Sequence, residues 1–217
     1  MGVMKSGTSQ VVVLGDIVGS RSAADRRRVH ELLSDVLART DHAVPSLRGL
    51  AVTISDEFQG AYARLGDALD AAWRVRVLLM PEVDVRIGVG RGRAEVIDAE
   101  RGIEDGPAGW SARAAVEAVE EQAERAATRL LRTGVAEEPG GAPDLAAVNA
   151  ALLCRDHLVG SLSDRSVRLL RGIVGEDVTQ AELADREGIS ASAVSQRVRN
   201  DGIGAVLAAH ELLRGLP

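Results

Sequence analysis

Apolar positions along the chain alternate between strand-like and helix-like spacing. Val11–Leu14 is an uninterrupted apolar run closed by Gly15-Asp16, the pattern of a short buried strand. Arg26–Leu37 then places Val29, Leu32, Leu33, Val36 and Leu37 on one helical face. Gly49–Ile54 and Phe58–Leu65 flank Ser55-Asp56-Glu57 and predict strand, tight turn, strand. Asp67–Met80 has helical spacing and stops before Pro81. Val83–Val89 predicts a third strand region, followed by the glycine-rich Gly90-Arg91-Gly92. Asp105-Gly106-Pro107 opens a helix running to about Ala127, with Pro107 suited to its first turn, and Arg129–Val135 predicts a last strand. Pro139-Gly140-Gly141-Ala142-Pro143 reads as a linker. After it the spacing is helical throughout: Leu145–Leu158, Asp164–Val174, Gln180–Arg186, Ser192–Arg199 and Ala205–Leu213.

The chain therefore reads as α+β: a ferredoxin-like domain over 10–138, a linker and connecting helix over 139–160, and an all-α domain over 161–217. Strand, helix, strand, strand, helix, strand is the order of a split βαβ sheet. In that topology the hairpin turn lies beside the end of the first strand, because the second hairpin strand pairs antiparallel to the first. Asp16 and Asp56, 40 residues apart in sequence, are thereby brought to one end of the sheet.

Composition narrows the partners. Of 217 residues, 46% are hydrophobic and 27% charged, which excludes a disordered chain, and only 2% are aromatic, so the core rests on Ala, Val, Leu and Ile. No apolar run reaches the ~18–20 residues of a membrane span, and the first ten residues lack the apolar stretch of a secretory signal, so a cytoplasmic location is expected. Net charge is −6, which argues against nonspecific polyanion binding by the whole molecule; Lys5 is the only lysine. The four histidines are scattered, and Cys154, the single cysteine, sits in an apolar run where a buried, inert thiol is expected.

Two carboxylates at adjacent strand ends repel unless a cation lies between them. Asp16 and Asp56 are hard oxygen ligands that suit Mg²⁺ or Mn²⁺ held jointly with substrate phosphates. Beside Asp16, the segment Ile17-Val18-Gly19-Ser20 leads toward a helix and is expected to aim backbone N–H groups at a phosphate, with Arg21 adding a guanidinium contact. Trp110 is expected to be a packing residue and Arg113 to lie on a solvated helix face.

These stretches carry a family resemblance. Gly15-Asp16-Ile17-Val18-Gly19-Ser20 resembles the first-strand metal motif of class III nucleotidyl cyclases, and Ser55-Asp56-Glu57-Phe58 resembles the hairpin of GGDEF-type diguanylate cyclases. Arg86-Ile87-Gly88-Val89-Gly90-Arg91-Gly92 resembles the cyclase strand R-I-G-x-x-x-G, and Asp105-Gly106-Pro107-Ala108 with Ala112-Arg113-Ala114 resembles the helix start after it. In this order, with the helical tail, the set most resembles the SatD family over roughly Val11–Leu213. The resemblance implies a palm-like, nucleotidyl-cyclase-like domain with Asp16 and Asp56 as metal carboxylates and Glu57 as a substitute. It implies Ile17–Ser20 as phosphate loop and Arg113 near the nucleotide, and makes a homodimer plausible. The sequence departs from working cyclases at Gly109, where the helix would carry Asn, at Ile54 and Ser55 in place of the hairpin glycines, and in having no adenine-reading lysine.

In the all-α part, Val178–Arg199 fits a helix-turn-helix. Ala184 stands at the helix crossing, Gly188 in the turn, Ser190 as cap, and Ile189, Val194 and Val198 face the core. The pattern resembles sigma-factor region 4 and similar regulators. Ser192, Ser195, Gln196, Arg197 and Arg199 then face outward toward DNA. Against this, residues 157–217 hold seven arginines and eight acidic residues, not the basic footprint of a strong DNA binder. The expected function is a regulator binding a metal–nucleotide in one domain and DNA in the other. The alternatives are a cyclase-like enzyme acting on a nucleoside triphosphate, or an inactive palm serving as a dimer scaffold.

Overall fold

A computed structural model of the chain describes residues 8–19, 25–54, 56–98, 103–138, 145–175 and 178–217. The elements are β1 (Thr8–Ile17), α1 (Arg26–Ala43), β2 (Arg48–Val52), β3 (Phe58–Tyr62), α2 (Leu65–Leu79), β4 (Val85–Asp98), β5 (Ile103–Asp105), α3 (Pro107–Ala123), β6 (Thr133–Glu137), α4 (Leu145–Gly160), α5 (Asp164–Gly175), α6 (Gln180–Glu187), α7 (Ala191–Asn200) and α8 (Ile203–Arg214). The sheet order is β2-β3-β1-β4-β5, with β6 added parallel to β4. Its β2-β3-β1-β4 part is antiparallel throughout, the split βαβ order. The linker 139–143 lies outside the described residues.

Strand alternation assigns the two faces. Val11, Val13, Ile17, Val85, Ile87 and Val89 join the large core with α1 and α2, while Val12 and Leu14 pack beneath α3 with Ala108, Ala112 and Val116. The glycines of β4 explain how closely α3 approaches. A Cβ at Gly88 or Gly90 would overlap the α3 backbone around Ala108 and Ala112, so the strand presents a bare track along which the helix lies. β4 is longer than the apolar pattern predicted and turns back as β5, whose Glu104 accepts a 2.9 Å hydrogen bond from Gln10 of β1. Conversely, the chain from Ala126 to Thr128 is a short 3-10 turn, and β6 begins only at Thr133.

Helix α2 is buried at nearly every position, because both halves of the molecule use it. Leu65, Ala68, Leu69, Ala72 and Val75 belong to the sheet core, whereas Trp73 and Val77 belong to the core of α5–α8. In the opposite direction Val148, Leu152 and Leu213 are part of the sheet core. Asn149 of α4 pairs with both backbone groups of Val135, at 2.8 and 2.9 Å, as a neighbouring strand would. Cys154 corrects an expectation: it is exposed, because the inward line of α4 runs through Val148, Leu152, Arg155, Asp156 and Val159.

The helical tail is punctuated as its sequence predicts. Thr179 and Glu182 form a capping box on α6, Gly188 takes a left-handed conformation (φ 62°) after it, and the Ser190 side chain accepts from the N–H of Ala193 at the start of α7. Ala184 and Val194 are buried, with Ile189 and Val198 packed against the same cluster.

Candidate active site at the end of the sheet

The register places the hairpin beside the end of β1: Gly15 pairs with Phe58, the first residue after the turn. One residue on, Asp16 pairs with Arg86 of β4, and alternation points both to the α3 side of the sheet. Their side chains meet as a fork. Arg86 Nε donates to Asp16 Oδ1 at 3.2 Å and Nη2 to Oδ2 at 2.8 Å. The remaining terminal nitrogen of Arg86, Nη1, reaches Glu120 on α3. Burial works against the Arg86 cation, but the bonds to Asp16 and Glu120 more than offset it and raise its pKa.

A second fork lies beside the first. Arg113 of α3 donates to both oxygens of Glu57, at 2.9 and 2.8 Å. Hydrogen bonding to Glu57 raises the Arg113 pKa, and Arg113 also stands within electrostatic reach of Glu117 and Asp16. The same bonds hold the Glu57 carboxyl below its usual range, with Asp56 opposing by like charge. Asp56 itself is half-buried in the turn. Among the described residues, Arg86 and Arg113 thus hold Asp16, Glu120 and Glu57 at one end of the sheet, with Glu117 in electrostatic reach of Arg113 and Asp56 in reach of Glu57.

Several expected site residues sit elsewhere than expected. Ile17 is a buried strand residue in register with Val85, and the N–H of Val18 donates to Asp84 O at 2.9 Å, so the Val18 amide is not free for a phosphate. Gly19 is left-handed (φ 70°), as a tight turn after a strand requires. Ser20, Arg21 and Ser55 lie outside the described residues. Asp16 does not stand open toward a shared cation point, because Arg86 occupies both of its oxygens. Arg113 is not merely solvated, because Glu57 claims it. Trp110 is 63% exposed and donates its indole N–H to Asp105 at 2.8 Å, contrary to its expected packing role. Arg86 entered from sequence only as the first residue of the cyclase-like strand motif and not as a site residue, and Glu120 did not enter at all. The signal for Arg86 was its place at the start of the strand that pairs with β1, opposite Asp16. The signal for Glu120 was its position seven residues, two helical turns, after Arg113.

The donor set decides which kind of metal suits the site. Among the described residues, no three His, Cys, Asp or Glu side chains converge as a ligand group. Asp16 and Asp56 are hard oxygen donors of the type that Mg²⁺ and Mn²⁺ take together with waters and phosphates, and both oxygens of Asp16 are bonded to Arg86.

On α7, Ser192, Gln196 and Arg199 are exposed, while Ser195 and Arg197 are half-buried. Arg197 pairs with Asp201 at 3.4 Å, and Arg199 donates to Ser195 O of its own helix at 3.3 Å. Among the described residues no helix is long and apolar enough to cross a membrane.

Sheet, covering helix and charged sheet end define a mixed α+β protein. The chain belongs to the SatD family, whose pattern it matches over residues 10–214. Among solved structures it is similar to the monomeric guanylyl cyclase domain of the RhoGC fusion protein from the aquatic fungus Blastocladiella emersonii, at 17% identity over 52% of this chain and 77% of that one, with a TM-score of 0.39. It is also similar to two structures of a bacterial light-regulated adenylyl cyclase. One shows 12% identity over 58% of this chain and 42% of that one, with a TM-score of 0.42. The other shows 14% identity over 58% and 74%, with a TM-score of 0.40. No curated protein matches.

Proposed function

We propose that the end of the sheet binds a nucleoside triphosphate together with Mg²⁺ or Mn²⁺, through Asp16 and Asp56. The observation that carries this reading is the local charge: among the described residues, Arg86 and Arg113 stand with Asp16, Glu57 and Glu120, and with Asp56 and Glu117 in electrostatic reach, an excess of carboxylates where β1 ends beside the hairpin. A divalent cation relieves that excess, and its open coordination positions recruit phosphate oxygens. Arg113 is the cation at hand to face those phosphates. Nucleotidyl transfer, the reading as an enzyme, further requires Arg113 to leave Glu57 for the phosphates. An inactive palm would bind and not turn over. A homodimer, with a site completed across two copies, accompanies either reading, and light scattering at tens of micromolar checks it, with a monomer there removing it.

A thermal-shift series with nucleoside triphosphates, with and without Mg²⁺ or Mn²⁺, tests binding, and chromatography of the same mixtures tests turnover. The wild-type chain is expected to gain several degrees only when metal and nucleotide are both present. Asp16→Asn should abolish that gain while leaving the fold intact. A metal-independent response, or one retained in Asp16→Asn, would remove the reading.

A second reading attaches to α7, whose capped start and left-handed entry turn leave Ser192, Gln196 and Arg199 exposed. They suit contact with DNA phosphates and base edges. If Arg199 reads a base, Arg199→Ala should weaken binding by about 1–3 kcal/mol. A low-salt selection from genomic fragments that enriches nothing over a Ser192→Ala/Gln196→Ala/Arg199→Ala control would eliminate this reading.

A further inference from the structure

The Asp16 carboxylate has both oxygens engaged by a cation that the protein itself supplies, and that cation already touches a second carboxylate. We propose that Arg86 is an intramolecular competitor of the metal: it occupies Asp16 in the unloaded protein and is handed to Glu120 when Asp16 turns to the metal–triphosphate. The proposal rests on the binding reading above and concerns the regulation of that same site.

Three observations carry it. The first is the geometry of the Arg86–Asp16 pair. The residues are direct cross-strand partners on neighbouring strands, so the fork is fixed by the backbone, with hydrogen bonds of 3.2 and 2.8 Å spending the carboxylate on both oxygens. A divalent ion on Asp16 would place a second positive charge a few ångströms from the guanidinium, and such neighbours repel.

The second is the alternative seat. Glu120 lies on α3 facing the same guanidinium and is bonded through the nitrogen that Asp16 does not use. Moving Arg86 from one carboxylate to the other therefore needs a change of side-chain torsion and no movement of β4. Glu120 is 55% exposed at its side chain, whereas Asp16 and Arg86 are 21% and 17% exposed. Transfer thus takes the arginine from the inner carboxylate to the outer one and clears the inner one.

The third is the rigidity around the exchange. α3 lies directly against the bare Gly88–Gly90 track, so Glu120 is held at a fixed height above Arg86. The exchange is confined to one side chain, and its two end states share the Arg86–Glu120 contact.

Competition of this kind makes metal binding a difference between two cations for one carboxylate. It predicts that removing Arg86 strengthens binding, an effect that damage to the fold does not produce. Mn²⁺ with inorganic tripolyphosphate serves as the probe, since it presents the phosphates without committing to a base. Binding is read by the Mn²⁺ electron paramagnetic resonance signal and by calorimetry on the full chain. Arg86→Gln is expected to bind on the order of tenfold more tightly than wild type. Glu120→Gln, which removes the outer seat, should bind several-fold more weakly, and Asp16→Asn should not bind.

Binding by Arg86→Gln that equals or falls below wild type, with Asp16→Asn silent, overturns the competition and leaves the Asp16 site standing. Asp16→Asn binding as wild type does, or no binding by either wild type or Arg86→Gln, overturns the site itself and the competition with it. Should Arg86→Gln fail to fold, Glu120→Gln decides alone, because it changes an exposed helix position; unchanged or tighter binding there overturns the proposal.

Discussion

Asp156 and Asp16 are both aspartates gripped by arginine, and they sit in opposite surroundings. Asp156 is fully buried between α4, α2 and the approach to β6. Its Oδ2 accepts the backbone N–H groups of Arg132 and Thr133, each at 2.7 Å, and its Oδ1 accepts from Arg76, with Arg155 at 3.6 Å. Arg155 lies with its guanidinium 4.8 Å from the Trp73 ring centroid, and burial pulls its pKa down to about 10, so it remains charged at neutral pH. There the cations outnumber the carboxylate and every oxygen is spoken for. At the sheet end, among the described residues, the carboxylates outnumber the cations and are partly exposed. The same pairing chemistry makes a closed network in one place and a partly solvated one in the other. Stoichiometry and burial set the difference, not residue type.

The largest expected effect breaks the inner network. Asp156→Asn leaves Arg76 and Arg155 buried without a counter-charge, and should cost about 3–5 kcal/mol in urea unfolding. The same change at Asp16 should cost under about 1 kcal/mol, since Arg86 keeps Glu120 and the pair is partly solvated. Equal costs at the two positions would erase the contrast.

Acid sharpens it further. His210 of α8 bonds Asp70 of α2 at 2.9 Å and stacks on Trp73, with ring centroids 5.1 Å apart. Burial holds the imidazole below its ordinary value of 6.5, against the partial support of Asp70. As pH falls below about 6.5 the unfolded chain takes up a proton that the folded chain refuses, so stability declines. Burial also pushes the Asp70 carboxyl up, but its bonds to His210 and the charge of Arg74 bring it below its usual range. Stability from Asp70 is present above the unfolded carboxylate value and is lost as pH falls through the folded one. His210→Gln should flatten the first decline and leave the second, as followed by unfolding at stepped pH.

The smallest effect belongs to the outer fork. Glu57→Gln should cost under about 1 kcal/mol, and a double-mutant cycle with Arg113→Gln should give a similarly small coupling, because the pair is well solvated. A coupling of several kcal/mol would mean that this fork is a closed network as well.

Much of this arrangement was legible in the sequence, for identifiable reasons. Long periodic segments located nearly every helix and the order of the sheet, and the topology placed the hairpin that carries Asp56 at the end of β1. The arginine partners were not legible, because cross-strand register links residues 70 apart through backbone pairing rather than through a local pattern. Cys154 and Trp110 were misplaced for a related reason. An apolar run such as Leu145–Cys154 does not say which side of its helix is covered until the neighbouring elements are in place, and here the buried side includes Arg155 and Asp156. In the glycines of β4 the sequence carried the information, but its meaning appears only once α3 is laid against them.

The shared helix α2 bears on how the chain is made. Synthesis proceeds from the N-terminus, so the sheet strands through β4 leave the ribosome before α5–α8 exist. Over that interval α1, β1 and β3 can cover one side of α2, but Trp73 and Val77 wait for the rest of their cluster: Arg155 and Val159 of α4 come first, and the remaining apolar partners, on α5–α8, only with residues 164–214. The nascent protein therefore carries an apolar stripe that α5–α8 must finish concealing. A chain cut after residue 160 would keep that stripe permanently, a natural target for chaperones and proteases, and premature termination would be expected to leave little soluble product.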